Sequence, residues 1–300
     1  MPIYFHDELP SAKKIRNFHI KSFNDKELSV INQSSISLLI LNLMPDKIET
    51  EYQILNLLSQ LPTHIDIDFL RLDHIEHKNT SKLHINKFYL PFNLIKDNKY
   101  DGLIVTGAPL EVIDFEKIKF WDQLVKIINW AKNNVGSSLF ICWAVQAALN
   151  ILYDTPKKHR KNKLSGVFTH HLTDNEDGLV QGFDEVFYAI HSRYADYPVS
   201  YLKENTDLRV LAETVTHDAY FFSSYDKRFV FVTGHPEYDR LTLSNEYLRD
   251  TLRGLSPTLP ENYFPNDDVL RNPHFTWRSH GVLVFSNWIN FCLLQKISTK

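Results

Sequence analysis

Three hundred residues, 43% apolar with aromatics spread throughout, describe a globular chain long enough to bury a sizeable α/β core. A net charge of −3 argues against a dedicated nucleic-acid binder, which needs a basic face for phosphates. Two cysteines, Cys142 and Cys292, are too few for a disulfide scaffold or a cysteine-rich metal site, and no apolar run approaches a membrane span. Met1 to Glu8 lacks the basic and then apolar order of a signal peptide, so a protein of the reducing cytoplasm is expected.

Residues 1–34 are polar and mixed and read as an N-terminal arm with weak local structure, followed by a single domain over 35–300. Ser37 to Met44 is a continuous apolar run of strand length, the pattern of a strand covered on both faces. Pro45 and Asp46 turn the chain into a helix in which Ile48, Tyr52, Leu55 and Leu58 recur at helical spacing. Ile65, Ile67 and Phe69 then alternate with Asp66 and Asp68 as a half-buried strand. Strand, helix and strand in succession predict a βαβ unit and hence a parallel sheet.

The alternation continues with a buried strand over Gly102 to Thr106 and a helix over about 116–134, faced by Phe120, Leu124, Ile127, Ile128 and Ala131. A short strand from Ser138 to Ile141 stops at Cys142, ahead of the helix-forming run Ala144 to Leu149. The basic stretch Lys157 to Lys163 reads as a solvated loop. Residues 164–233 read as β-rich, with strands at Gly166 to His170, Glu185 to Ile190, Val210 to Glu213, Ala219 to Ser223 and Phe229 to Thr233. A helix at roughly 240–253 follows, then an ordered loop over 255–280 whose Tyr263, Phe264, Phe275 and Trp277 need burial. A last helix carries Val282, Phe285, Trp288, Ile289 and Cys292. The fold class is α/β, a mostly parallel sheet flanked by helices.

Cys142, at a strand-to-helix junction, has a side chain lifted above the carboxyl edge of the sheet, where open α/β folds bind ligands. The following helix favours its thiolate, and the Trp143 N–H faces an oxyanion there. Position alone fits a buried structural thiol equally well. His235 and Glu237 follow another buried strand in Thr233-Gly234-His235-Pro236-Glu237. Alone, His235 reads as one loop histidine of fourteen. With Cys142 at a neighbouring strand end it reads as the base a thiol needs, and Glu237 as the group that fixes its tautomer.

The loop Gly107-Ala108-Pro109 can supply a second oxyanion donor from the N–H of Leu110 or Glu111, although from the residues alone an ordinary βα turn is the default reading. His170 and His171 point to opposite faces of a strand, so no metal site is expected there. Lys163 can reach an anionic substrate group and Arg249 can clamp a carboxylate. A solvated loop and a surface salt bridge are their plainer readings. No glycine-rich dinucleotide fingerprint or P-loop is present, which disfavours hydride transfer and nucleotide hydrolysis.

At these residues the chain resembles the homoserine O-acyltransferase family, of class I glutamine-amidotransferase-like (flavodoxin-like) fold. The likeness runs from about Ser37 to the C-terminal helix. It rests on Leu41-Asn42-Leu43-Met44-Pro45, Lys47-Ile48-Glu49-Thr50-Glu51, Thr106-Gly107-Ala108-Pro109 and Phe140-Ile141-Cys142-Trp143-Ala144-Val145-Gln146-Ala147. Val232-Thr233-Gly234-His235-Pro236-Glu237-Tyr238, Asn262-Tyr263-Phe264-Pro265 and Thr276-Trp277-Arg278-Ser279-His280 complete it. The resemblance implies ping-pong acyl transfer to L-homoserine in methionine synthesis, with Cys142 carrying the acyl group, His235 as base and Glu237 orienting it. It places substrate contacts on Lys163, Ser192 and Arg249. It also implies acyl-CoA as co-substrate with no permanently bound cofactor, and allows a homodimer.

One position divides that family: after Gly-Ala-Pro-Leu, a glycine goes with succinyl-CoA and a glutamate with acetyl-CoA. Glu111 stands here, and a carboxylate beside the acyl pocket adds bulk and repels the free carboxylate of a succinyl chain. Acetyl-CoA is therefore the expected donor. Succinyl-CoA is the alternative, toward which Cys142-Trp143-Ala144-Val145-Gln146 leans. A glutamine amidotransferase-like hydrolase is the more distant alternative; such enzymes usually carry glycine two residues after the cysteine, where this chain has Ala144.

Overall fold

The structure, a computed structural model, describes residues 3–4, 8–15, 36–73, 75 and 79–294. Its strands in chain order are β1 (Ile3–Tyr4), β2 (Ile36–Leu41), β3 (Ile65–Arg71), β4 (Tyr89–Pro91), β5 (Tyr100–Val105) and β6 (Val135–Ile141). They continue as β7 (His159–Leu172), β8 (Val186–Ala195), β9 (Arg209–Thr214), β10 (Ala219–Ser223) and β11 (Phe229–Val232). They form one sheet of order β1-β3-β2-β5-β6-β11-β10-β9-β7-β8, with β4 also on β3. From β1 to β11 the pairing is parallel, and from β11 outward it is antiparallel. The mostly parallel α/β sheet expected from the buried runs is present, extended on one side by a meander-like wing.

The central parallel strands β2, β5 and β6 are buried on both faces because both are covered, while β3 nearer the edge alternates, with Asp66 exposed. On β2, Leu38 and Ile40 enter one core and Leu39 and Leu41 the other. The first core is closed by α2 (Lys47–Leu58) and α9 (Arg278–Trp288), through Ile54, Leu55, Phe285 and Trp288. The second is closed by α5 (Trp121–Asn134) and α6 (Trp143–Tyr153), through Leu124, Ile127, Ile128 and Ala148. Asp46 caps α2, accepting from the Glu49 N–H at 3.1 Å. A third cluster ties the wing to the C-terminal region: Val167 and Ile190 pack with Tyr238, Leu243 of α8 (Thr242–Leu252), Tyr263 and Trp277.

Several readings need correction. The basic run taken as a solvated loop enters β7 and pairs with β8, from His159 opposite Ala195 to His171 opposite Val186. At the start of that strand His159, Lys161 and Asn162 are exposed and Arg160 and Lys163 half-buried, so no alternation of buried and exposed residues marked it. Three short helices were not anticipated: α3 (Lys82–Phe88), α4 (Phe92–Ile95) and α7 (Val199–Asn205). Each is too short to display a helical repeat. Within the segment read as an arm, β1 pairs with β3, and α1 (Pro10–Ile15) buries Ala12 and Ile15 beside Leu9. The remainder of that segment lies outside the described residues.

α9 approaches the His235-Pro236-Glu237 turn so closely that a Cβ on Gly281 would stand 2.4 Å from the Pro236 carbonyl oxygen. Gly281→Ala is expected to destabilise the fold by about 1–3 kcal/mol through overpacking, read as a lower urea midpoint. An unchanged midpoint would show that the turn moves aside freely.

Candidate active site

From β2 the chain first moves to β3 on one side and later to β5 on the other. Such a reversal leaves a crevice at the carboxyl ends of the strands. A cavity of about 300 Å³ occupies it, lined by Met44 and Pro45 after β2, Ala108, Pro109 and Glu111 after β5, Cys142 after β6 and His235 after β11.

Cys142 adopts φ 52° and ψ −114°, outside the regions that residues with side chains prefer. Its N–H donates to the Val232 carbonyl at 2.9 Å, and its own carbonyl accepts from the Val145 N–H at 2.9 Å. This sharp turn points the thiol off the end of β6 at the start of α6. Burial pushes the thiol pKa up, and the His235 imidazole, which hydrogen-bonds it, pulls against that.

His235 Nδ1 lies 2.7 Å from Glu237 Oε1, so Nε2 is the nitrogen that faces the thiol. Burial alone would lower His235, but the charges of Cys142 and Glu237 outweigh it and hold the imidazole well above its usual range. The Tyr238 ring stacks on His235 with centroids 4.0 Å apart. Gly107 fits between base and thiol: a Cβ there would be 3.3 Å from both Cys142 Cβ and His235 Cε1. Chemically, the arrangement suits passage of the thiol proton to an oriented imidazole, which leaves sulfur free to attack a carbonyl carbon.

Lys163, Ser192 and Arg249 border the same cavity. The Lys163 ammonium and the Ser192 hydroxyl donate to one oxygen, Glu246 Oε2, at 3.1 and 2.5 Å, and the Tyr238 hydroxyl donates to Oε1 at 2.5 Å. Burial would raise Glu246, yet Lys163 and these hydroxyls outweigh it and keep its carboxyl low. Glu246 was not singled out from the sequence. The signal available was its spacing three residues before Arg249 on one helix face. Tyr194, Tyr238 and Arg253 also line the cavity and were likewise missed. Arg249 Nε donates to Asp250 at 2.8 Å, and its side chain is about half exposed.

Glu237 stands behind His235 rather than in the cavity lining. The Trp143 indole is buried in the second core against Phe120, while its backbone N–H lies in the first turn of α6, where helix N–H groups have no intrahelical acceptor. The Leu110 N–H donates to the Ala108 carbonyl at 2.8 Å, which removes it from the two loop donors considered and leaves that of Glu111. Among the described residues no group of three or more His, Cys, Asp or Glu side chains is arranged to hold a metal ion. Nor is any described helix long and apolar enough to cross a membrane.

This architecture is that of the class I glutamine-amidotransferase-like proteins. A glutamine amidotransferase of Methylobacillus flagellatus superposes with a TM-score of 0.58 at 12% identity, covering 86% of this chain and 95% of its own. A glutamine amidotransferase of Thermotoga maritima does so with a TM-score of 0.54 at 10% identity, covering 87% and 99%. The model of the homoserine O-succinyltransferase family matches residues 2–299, and the chain belongs to that family. It is 52% identical over 295 residues to the homoserine O-succinyltransferase of Serratia proteamaculans (strain 568), covering 98% of this chain and 96% of the relative. It is 49% identical to that of Tolumonas auensis (strain DSM 9187 / NBRC 110442 / TA 4), covering 98% and 94%.

These matches overturn the acetyl-CoA donor expected from Glu111, since the family and both relatives carry the succinyl name. The side chain itself supplies a physical reason. One oxygen of Glu111 accepts the Tyr194 N–H at 3.0 Å, and burial pushes its carboxyl above the usual range, against the pull of that N–H, His235, Lys163 and Arg193. Burial disfavours the charge on Glu111 and the Tyr194 N–H occupies one of its oxygens, both of which weaken the repulsion of a second carboxylate on which the acetyl reading rested.

Proposed function

We propose that this chain transfers the succinyl group of succinyl-CoA to the hydroxyl of L-homoserine through a thioester on Cys142. The observation that carries the reading is the buried thiol placed between His235 and Glu111, 4.0 Å from the Glu111 carboxyl, in a cavity bordered by Lys163, Arg249 and Arg253. His235 takes the thiol proton as sulfur attacks the thioester carbonyl, and the N–H groups of Trp143 and Glu111 are the oxyanion donors. CoA leaves with a proton. The homoserine hydroxyl then gives its proton to His235 and displaces sulfur from the acyl group. Lys163, Ser192 and Arg249 hold the charged ends of the substrates. The reaction runs in the cytoplasm without a resident cofactor.

CoA release from succinyl-CoA, measured with and without homoserine, tests this. Continuous release only with homoserine, after a stoichiometric burst without it, is the expected result. Absence of release with homoserine overturns the reading, and ammonia formed from glutamine would favour a glutaminase instead.

A further inference from the structure

Ser192 and Tyr194 face the cavity, so alternation along β8 turns His191 and Arg193 to the other side, where both are fully buried. There the Arg193 Nε–H donates to His191 Nδ1 at 3.1 Å, His191 Nε2 lies 2.9 Å from His170 Nε2, and His170 Nδ1 lies 2.9 Å from the Phe168 carbonyl oxygen. A guanidinium can only donate and a carbonyl can only accept. The two ends therefore dictate the same tautomers. His191 carries its proton on Nε2 and gives it to His170, and His170 carries its proton on Nδ1 and gives it to Phe168.

Both rings must be neutral for the chain to close. Burial, with the Arg193 charge beside it, lowers His191 well below its usual range, and burial takes His170 down to about 3. The other end of Arg193 is fixed as well. Its remaining nitrogens bond the Ala195 carbonyl and the Asp218 carboxylate, and Asp218 in turn accepts the Tyr197 N–H.

We propose that Arg193 is a positioning residue that, through the one-way chain of His191 and His170, fixes β8 so that the Ser192 carbonyl and the Tyr194 N–H stand against Cys142 and Glu111. The Ser192 carbonyl oxygen is 3.9 Å from the Cys142 sulfur, and the Tyr194 N–H is 3.0 Å from Glu111 Oε1. Both are backbone groups whose direction is set by the course of β8, so their placement depends on what holds the strand from behind. This rests on the reading of Cys142 as the acyl carrier.

Two measurements test it. Long-range ¹H–¹⁵N spectra of the histidine rings at about pH 6, below the ordinary histidine pKa, are expected to show His191 as the Nε2–H and His170 as the Nδ1–H neutral form. A protonated ring or the opposite tautomer at either residue overturns the chain. In kinetics, His170→Phe removes the acceptor and should slow acyl-enzyme formation about tenfold or more at saturating donor. His170→Gln, whose amide can accept from His191 and donate to Phe168, should recover most of that rate. A folded His170→Phe variant that acylates normally, or a glutamine variant no faster than the phenylalanine one, overturns the positioning role. If the unaltered enzyme forms no acyl-enzyme, it is the reading of Cys142 that fails, and the ring spectra alone decide the chain.

Discussion

Cys142→Ser is expected to leave a folded protein that forms no acyl-enzyme and loses turnover by at least about 10⁴-fold, the scale on which nucleophile removal acts in related chemistry. The substitution keeps the size of the side chain and the strained backbone at φ 52°, so any loss is chemical rather than architectural. The serine hydroxyl is far harder to deprotonate than a thiol, and burial, which already pushes the thiol up, would penalise an alkoxide more. Intact-mass spectrometry after mixing with succinyl-CoA gives the direct readout. The unaltered chain should gain the mass of one acyl group, and the variant none. Normal turnover by Cys142→Ser would exclude the covalent route.

The parallel half of the fold was legible because strands buried on both faces leave uninterrupted apolar runs. Ser37 to Met44 and Gly102 to Thr106 need no partner to be recognised. The antiparallel wing was less so. β7 begins in a polar, basic run whose pairing with β8 is a tertiary fact, and α3, α4 and α7 have seven or fewer residues each. Within the site, Cys142 and His235 were visible because each ends a buried strand. Glu246 and Tyr194 were not, since only packing of α8 and β8 against the crevice brings them to it, and Tyr238 was not, since its stacking on His235 depends on the turn at Pro236. Glu111 shows a different limit. Its presence was plain in the sequence, but its effect on a donor carboxylate depends on burial and on the Tyr194 N–H, which the residue type does not encode.

His235→Ala should slow acylation by a factor on the order of 10²–10⁴, the usual worth of a positioned base. The thiol would then face its burial with no imidazole to take the proton, so part of the lost rate should return as pH rises and free thiolate forms; an unchanged rate at neutral pH would remove His235 from the base role. Glu237→Gln separates orientation from proton transfer. At 2.7 Å the carboxylate can only accept from His235, which places the ring proton on Nδ1 and leaves Nε2 to receive the thiol proton. A glutamine amide can present its NH₂ to Nδ1 instead, which moves the ring proton to Nε2 and points a donor at a donor. Loss in Glu237→Gln approaching that of His235→Ala would therefore mean that the tautomer, more than the presence of the ring, governs the step. A loss of only a few-fold would mean that the thiol and the stacked Tyr238 already hold the imidazole in its working orientation.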